Sequence, residues 1–149
     1  MLQIHAMTDK WGRRLFITGA VWLLLLGAVH SISLFQGLAP TNETERQMID
    51  LMTNYKFNLA GSMRSMAELL RGFSISFMLS VLGLGALDLA LAREGSGLLK
   101  RVAVVNAIWL AAMTANSLRY FFILPTTFLV VALVIFVLAW GKLPAEGTS

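Results

Sequence analysis

The chain contains no cysteine, which excludes disulfide frameworks, thiolate zinc sites, iron–sulfur clusters and dithiol redox chemistry together. Charge is scarce as well: Asp, Glu, Lys and Arg make up 13% of the 149 residues, about half the share of an ordinary soluble domain. Eight acids and twelve bases cannot coat the surface of a globular protein of this size, so a soluble fold is excluded. A hydrophobic content of 57% excludes disorder. Histidine is limited to His5 and His30, and no Gly-rich phosphate loop, nucleophile–base pair or metal-ligand spacing is present. No metal or other cofactor is implied. The net charge of +4 comes from bases that flank apolar runs, so lipid headgroups rather than nucleic acid are the implied polyanion.

What the chain does have is long apolar segments. Residues 15–35, 102–118 and 121–140 are each near the twenty or so residues that a helix rising 1.5 Å per residue needs to cross the hydrocarbon, and 66–92 is longer than a crossing needs, its first turns with Glu68 and Arg71 being expected outside the hydrocarbon. The expected fold is all-α: a polytopic membrane protein, one integral domain over 1–149, built as an antiparallel bundle of four transmembrane helices. Pro125 falls in the first turn of the fourth span, where a missing N–H is tolerated, so spans three and four form a tight hairpin around Arg119 and Tyr120.

Orientation follows from Lys and Arg, which are retained on the cytoplasmic side. Lys10, Arg13, Arg14, Arg93, Lys100, Arg101 and Lys142 flank one side; Arg46, Lys56, Arg64, Arg71 and Arg119 flank the other. Both termini are therefore expected in the cytoplasm, with Trp11 and Trp140 as interfacial anchors. A cleaved signal peptide is the competing reading of the first span. Its apolar stretch is long for that role, and Pro40 follows the small pair Gly37 and Ala39. Bis-imidazole haem ligation would need a second histidine at membrane depth, and His5 lies in the cytoplasmic tail.

The outer loop, 36–65, is the one hydrophilic stretch. Thr41 or Asn42 can cap a short amphipathic helix with Glu43 and Glu45 in its first turn and Met48, Leu51, Met52 and Tyr55 at i, i+3, i+4, i+7. Such a helix is a lid on the bundle or headgroups, or a gate over a cavity lined by Met48, Met52 and Met63. On the second span Ser65, Glu68, Gly72, Ser76, Ser80 and Gly83 fall on one stripe, and the first span offers Gly19, Leu23, Gly27 and His30. Both stripes are expected to face the bundle interior, where small residues allow close backbone approach and hydroxyls bond a neighbouring carbonyl. Asp88 and Asn106 come to similar depth near the inner side and can hydrogen-bond, fixing register between helices.

The candidate ligand site is a set of polar groups at the outer ends of the spans: His30, Glu68, Arg71, Asn116 and Arg119. An unpaired charge at that depth is costly, so Glu68 is expected to pair with Arg71 or Arg119. The cluster is either a structural clasp or an outward pocket for an anionic or amphipathic molecule, with the arginines as charge partners and His30 as proton relay. An enzyme would rest on these few residues alone, and a transporter or channel would need an oligomer, since four helices enclose little volume. A non-enzymatic accessory or small-ligand-binding bundle is the leading expectation. Its partners are the lipid bilayer and a second copy or another membrane protein.

The order of these features carries a resemblance: Gly27 and His30 late in span one, the Glu68-Leu-Leu-Arg71-Gly-Phe73 entry to span two, and Arg119-Tyr-Phe-Phe-Ile-Leu-Pro125 leading into span four. It resembles bacterial inner-membrane proteins of about 150 residues and four helices, a domain-of-unknown-function group that implies a fold and a location but no activity. Two groups of similar size would imply a chemistry, and each departs where function resides. Small multidrug exporters depend on a glutamate in the first span, and 15–35 holds no acid. Membrane-bound glutathione transferases carry a second-helix run of Arg, Asn and Glu that has no counterpart near Glu68 and Arg71.

Overall fold

The structure is a computed structural model that describes residues 2–37 and 39–144, with side chains described from Asp9 onward. The described residues form five helices and one hairpin: α1 (Leu2–Ser33), α2 (Glu43–Asn54), β1 (Lys56–Leu59), β2 (Ser62–Ser65), α3 (Met66–Leu91), α4 (Ser96–Tyr120) and α5 (Ile123–Lys142). Four stretches are long and apolar enough to cross a membrane, namely Asp9–Ser33, Met66–Leu91, Ser96–Tyr120 and Ile123–Lys142. Even the shortest, at 20 residues, matches a hydrocarbon core of about 30 Å. The chain divides into two compact units, Met1–Leu26 with Leu82–Ser149 and Gly27–Val81.

In the first unit the buried positions repeat every three or four residues, as helices packed side by side require. On α4 they are Leu99, Ala103, Asn106, Leu110, Thr114 and Ser117, and on α5 Thr126, Leu129, Ala132, Phe136 and Ala139. These two helices form a tight hairpin. The Phe121 amide closes α4 by donating to the Ser117 carbonyl at 2.9 Å, and the Ser117 and Thr126 hydroxyls bond across the turn at 2.7 Å. Pro125 lies in the first turn of α5. The α1 segment contributes Phe16, whose ring meets Phe136 edge-on at 5.7 Å, and Trp22, which stacks on Phe128 and donates to its carbonyl at 3.0 Å.

At the end of this unit where α3 and α5 finish, cationic side chains close exposed helix ends. Arg13 donates to the carbonyls of Ala92 and Glu94 at 2.5 and 2.9 Å, just beyond the last turn of α3, and Lys100 donates to Leu143 at 2.8 Å, just past α5. Each satisfies a carbonyl that the helix leaves unpaired and opposes the negative end of its dipole. Asp9 accepts from the Ser96 hydroxyl at the start of α4.

The buried edge of α3 differs from the one expected. Gly72, Ser76, Ser80 and Gly83 are exposed, and a Cβ added at Gly72 or Gly83 would meet nothing within 4 Å. The buried residues are Val81, Gly85, Asp88 and Ala92, on the opposite side of the helix. Gly85 is the point of close approach: a Cβ there would stand 2.9 Å from the Ala20 carbonyl oxygen of α1. On α1, Gly19, Leu23 and Gly27 are buried as expected of their stripe. Two causes account for the inverted edge of α3. The Ser80 hydroxyl is satisfied by the Ser76 carbonyl of its own helix at 2.8 Å and so needs no neighbour, whereas the Asp88 carboxyl cannot face lipid without cost.

The second unit departs from the all-α expectation. Here 56–65 is an antiparallel hairpin in which Phe57 faces Arg64 and Asn58 faces Met63. Its two-residue turn holds Ala60 at φ 48° and Gly61 at φ 88°, the pair of positive φ values that a type I′ turn demands. The Asn58 side chain accepts from the Gly61 amide at 2.8 Å and fixes the turn. Strand β2 passes into α3 without a linker.

The opposed faces of α3 respond differently to one methyl group. Gly85→Ala is expected to destabilise the protein by about 1–3 kcal/mol through overlap with the α1 backbone. Gly83→Ala is expected to be neutral or to stabilise by up to about 1 kcal/mol through helix propensity. Thermal unfolding in detergent, followed by tryptophan fluorescence, checks both.

Candidate functional site

In the second unit, Glu68 lies in the first turn of α3 and closes a reciprocal cap. The Ser65 amide donates to the Glu68 carboxylate at 2.9 Å, and the Glu68 amide donates to the Ser65 hydroxyl at 3.2 Å. This is the capping box of a Ser three residues ahead of a Glu, and it anchors the hairpin to the start of the span. The charge partner of Glu68 is Lys56, at 4.0 Å from the neighbouring strand. The expected pairing with Arg71 is not formed: the Glu68 carboxylate turns back to the Ser65 amide and to Lys56 instead. Arg71 is exposed and has no hydrogen bond or ion pair among the described residues.

Beside that cap, Arg64, Glu68, Leu69, Gly72, Phe73 and Ser76 line an open groove of about 440 Å³. It is charged at the hairpin end, apolar at Leu69 and Phe73, and ends at the Ser76 hydroxyl further along α3. Gly72 forms part of its floor and leaves it open, since nothing stands within 4 Å of where a Cβ would lie. Arg64, Leu69 and Phe73 are groove residues that the sequence reading did not single out, and Arg71 and His30 are candidates that the groove does not include. Arg64 becomes visible as a groove residue only once the hairpin sets its side of β2.

His30 packs edge-on against Phe77 with ring centroids 5.0 Å apart, and its buried Nε2 has no hydrogen-bond partner among the described residues. The imidazole is therefore held by an aromatic contact rather than by a hydroxyl or carbonyl on that nitrogen. The side chain of His5 lies outside the described residues. No group of three or more His, Asp or Glu is placed to hold a metal ion among the described residues.

Helix α2 shows how its amino terminus is built. Asn42 is the N-cap and accepts from the Glu45 amide at 2.8 Å. The Glu45 carboxylate accepts from both the amide and the hydroxyl of Thr41, each at 2.7 Å, and these bonds hold it below the usual carboxylate range.

In the first unit, Asn116 and Arg119 are exposed on α4 with no hydrogen bond or ion pair among the described residues. The polar pair in its interior is Asp88 and Asn106. Both are buried, and the Asn106 amide donates to Asp88 Oδ2 at 2.7 Å. Asp88 Oδ1 and the Thr114 hydroxyl are buried without a partner among the described residues. Arg13 is fully engaged one turn beyond Asp88, on carbonyls rather than on the acid. No protein family, curated protein or solved structure matches the chain.

Removing one member of the Asp88–Asn106 pair leaves the other unsatisfied in the interior. Asn106→Ala is expected to cost roughly 1–3 kcal/mol. Replacing both with leucine is expected to cost less than the sum of the single losses, because no orphan remains. Asp88→Asn keeps an acceptor for Asn106 and is expected to be tolerated. A double-mutant cycle on unfolding in detergent measures the coupling.

Proposed function

We propose that the protein is a non-enzymatic integral membrane protein that binds a small amphipathic molecule in the groove at the amino-terminal end of α3. The observation that carries this reading is the lining itself: Arg64 and Glu68 at one end, Leu69, Phe73 and the open floor at Gly72 along the rest. A charged or zwitterionic head fits the first part, where a guanidinium can donate in a fork, and an apolar tail fits the second. The four spans are read as an antiparallel bundle in a bacterial inner membrane with both termini in the cytoplasm. The seven bases on the terminal side and the likeness to four-helix inner-membrane proteins support that placement.

A second reading is favoured by one observation. The exposed edge Gly72, Ser76, Ser80 and Gly83 has the small-residue spacing that lets a second transmembrane helix approach closely. An oligomer formed there would cover the same groove.

Native mass spectrometry of the protein extracted in its own lipids separates the two. A small-molecule adduct that is lost in both Arg64→Ala and Gly72→Leu, on a chain that remains folded, is the expected result. A Cβ at position 72 would meet nothing within 4 Å, so the larger side chain of Gly72→Leu has room to enter the groove. Oligomers that dissociate in Gly72→Leu, with no adduct, favour self-association instead. A bare monomer contradicts both readings.

A further inference from the structure

We infer that α2 is an in-plane membrane helix whose edge Met48, Leu51 and Tyr55 seats in the headgroup–acyl boundary of the adjoining leaflet, so that the occupant of this edge is phospholipid. The helix has three distinct sides. Glu45, Ile49 and Met52 are half-buried. Glu43, Arg46, Gln47, Asp50 and Asn54 form a polar edge that satisfies itself: Arg46 pairs with Glu43, Gln47 donates to Glu43 at 3.2 Å, and Asn54 donates to Asp50 at 2.6 Å. Met48, Leu51 and Tyr55 form the third side and are 52%, 63% and 65% exposed. An apolar side that large, left open while the polar side needs no partner, is the pattern of a helix lying at an interface.

Chain continuity supplies the occupant. Tyr55 alone separates α2 from β1, the strands are four residues each, and β2 runs directly into the span at Met66. Because Lys56 pairs with Ser65, the hairpin returns the chain so that the end of α2 lies close to the start of α3. Met63 and Met66 are themselves about half-exposed, so the junction between the hairpin and α3 carries apolar surface as well. The charges agree with an apolar mode of attachment. Three acids against one base on α2 would be repelled by anionic headgroups, so binding rests on burial of Met48, Leu51 and Tyr55 rather than on charge.

The absence of cysteine makes a direct test simple. Single cysteines replace Leu51, Tyr55, Gln47 and Asn54, with Leu79 on the exposed side of α3 as a lipid reference, and each carries a nitroxide. The full-length protein is reconstituted into phosphatidylethanolamine–phosphatidylglycerol vesicles. Collision with oxygen relative to a water-soluble nickel chelate is expected to be at least about threefold higher at 51 and 55 than at 47 and 54, approaching the Leu79 value. High nickel access at all four positions would place α2 in water and overturn the inference. Low access to both reagents at 51 and 55 would show a protein partner or second copy on that edge and would overturn it equally. If the label at 51 alters the helical circular dichroism, Met48→Cys reads the same edge.

Discussion

A carboxyl group that cannot be left facing lipid governs the packing of α3. Asp88 is the one acid in the carboxy-terminal half of that helix, and burying it chooses which side of the helix meets protein. The same rotation brings Val81, Gly85 and Ala92 inward and turns Gly72, Ser76, Ser80 and Gly83 outward. The Asn106 amide meets the carboxyl from α4, and the missing side chain of Gly85 lets the α1 backbone approach within van der Waals distance of α3. The caps made by Arg13 and Lys100 then close the ends of α3 and α5 from neighbouring helices. Polar contacts thus set orientation in this unit, while Phe16, Leu23, Leu110 and Phe136 fill it.

The second unit is organised by a different constraint, the direct passage of β2 into α3. The Ser65–Glu68 cap fixes that junction, Lys56 crosses from β1 to balance the glutamate, and the I′ turn sets which residues of the hairpin share a side. Arg64 and the first two turns of α3 consequently border one groove. A polar, capped rim beside an apolar, lipid-continuous floor is the physical basis for reading it as an amphipathic site.

Much of the fold was legible because long apolar runs mark long helices: four helices long and apolar enough to cross a membrane come out within a few residues of those runs, except where α1 and α4 extend beyond them. The start of α2 was legible to within one residue, with Thr41 or Asn42 as the cap and Asn42 taking that place, and the Asp88–Asn106 contact from matched depth. The α3 edge differs from the one small residues point to, because a serine bonded to its own helix and a glycine can both face lipid cheaply. The cost of exposing Asp88 is larger and points the other way. The hairpin is faint in the sequence because its strands are four residues long and its turn is Ala-Gly rather than Asn-Gly, which leaves only the alternation around Phe57 and Leu59. Without the hairpin, neither Lys56 as the partner of Glu68 nor Arg64 as a groove residue could be seen. The expected polar cluster therefore resolves into separate local environments: a cap at Glu68, an aromatic contact at His30, and exposed side chains at Arg71, Asn116 and Arg119.

Burial of Asp88 sets the rotation of α3, and the lipid contacts of the unmodified protein report that rotation. Reconstitution with phospholipids carrying a diazirine on the acyl chain, followed by photolysis and tandem mass spectrometry, maps carbene insertion along 80–92. The account predicts labelling at Gly83, Leu87 and Ala90 and protection at Gly85, Asp88 and Ala92. Labelling at Gly85 and Asp88 with protection at Gly83 and Leu87 would contradict it.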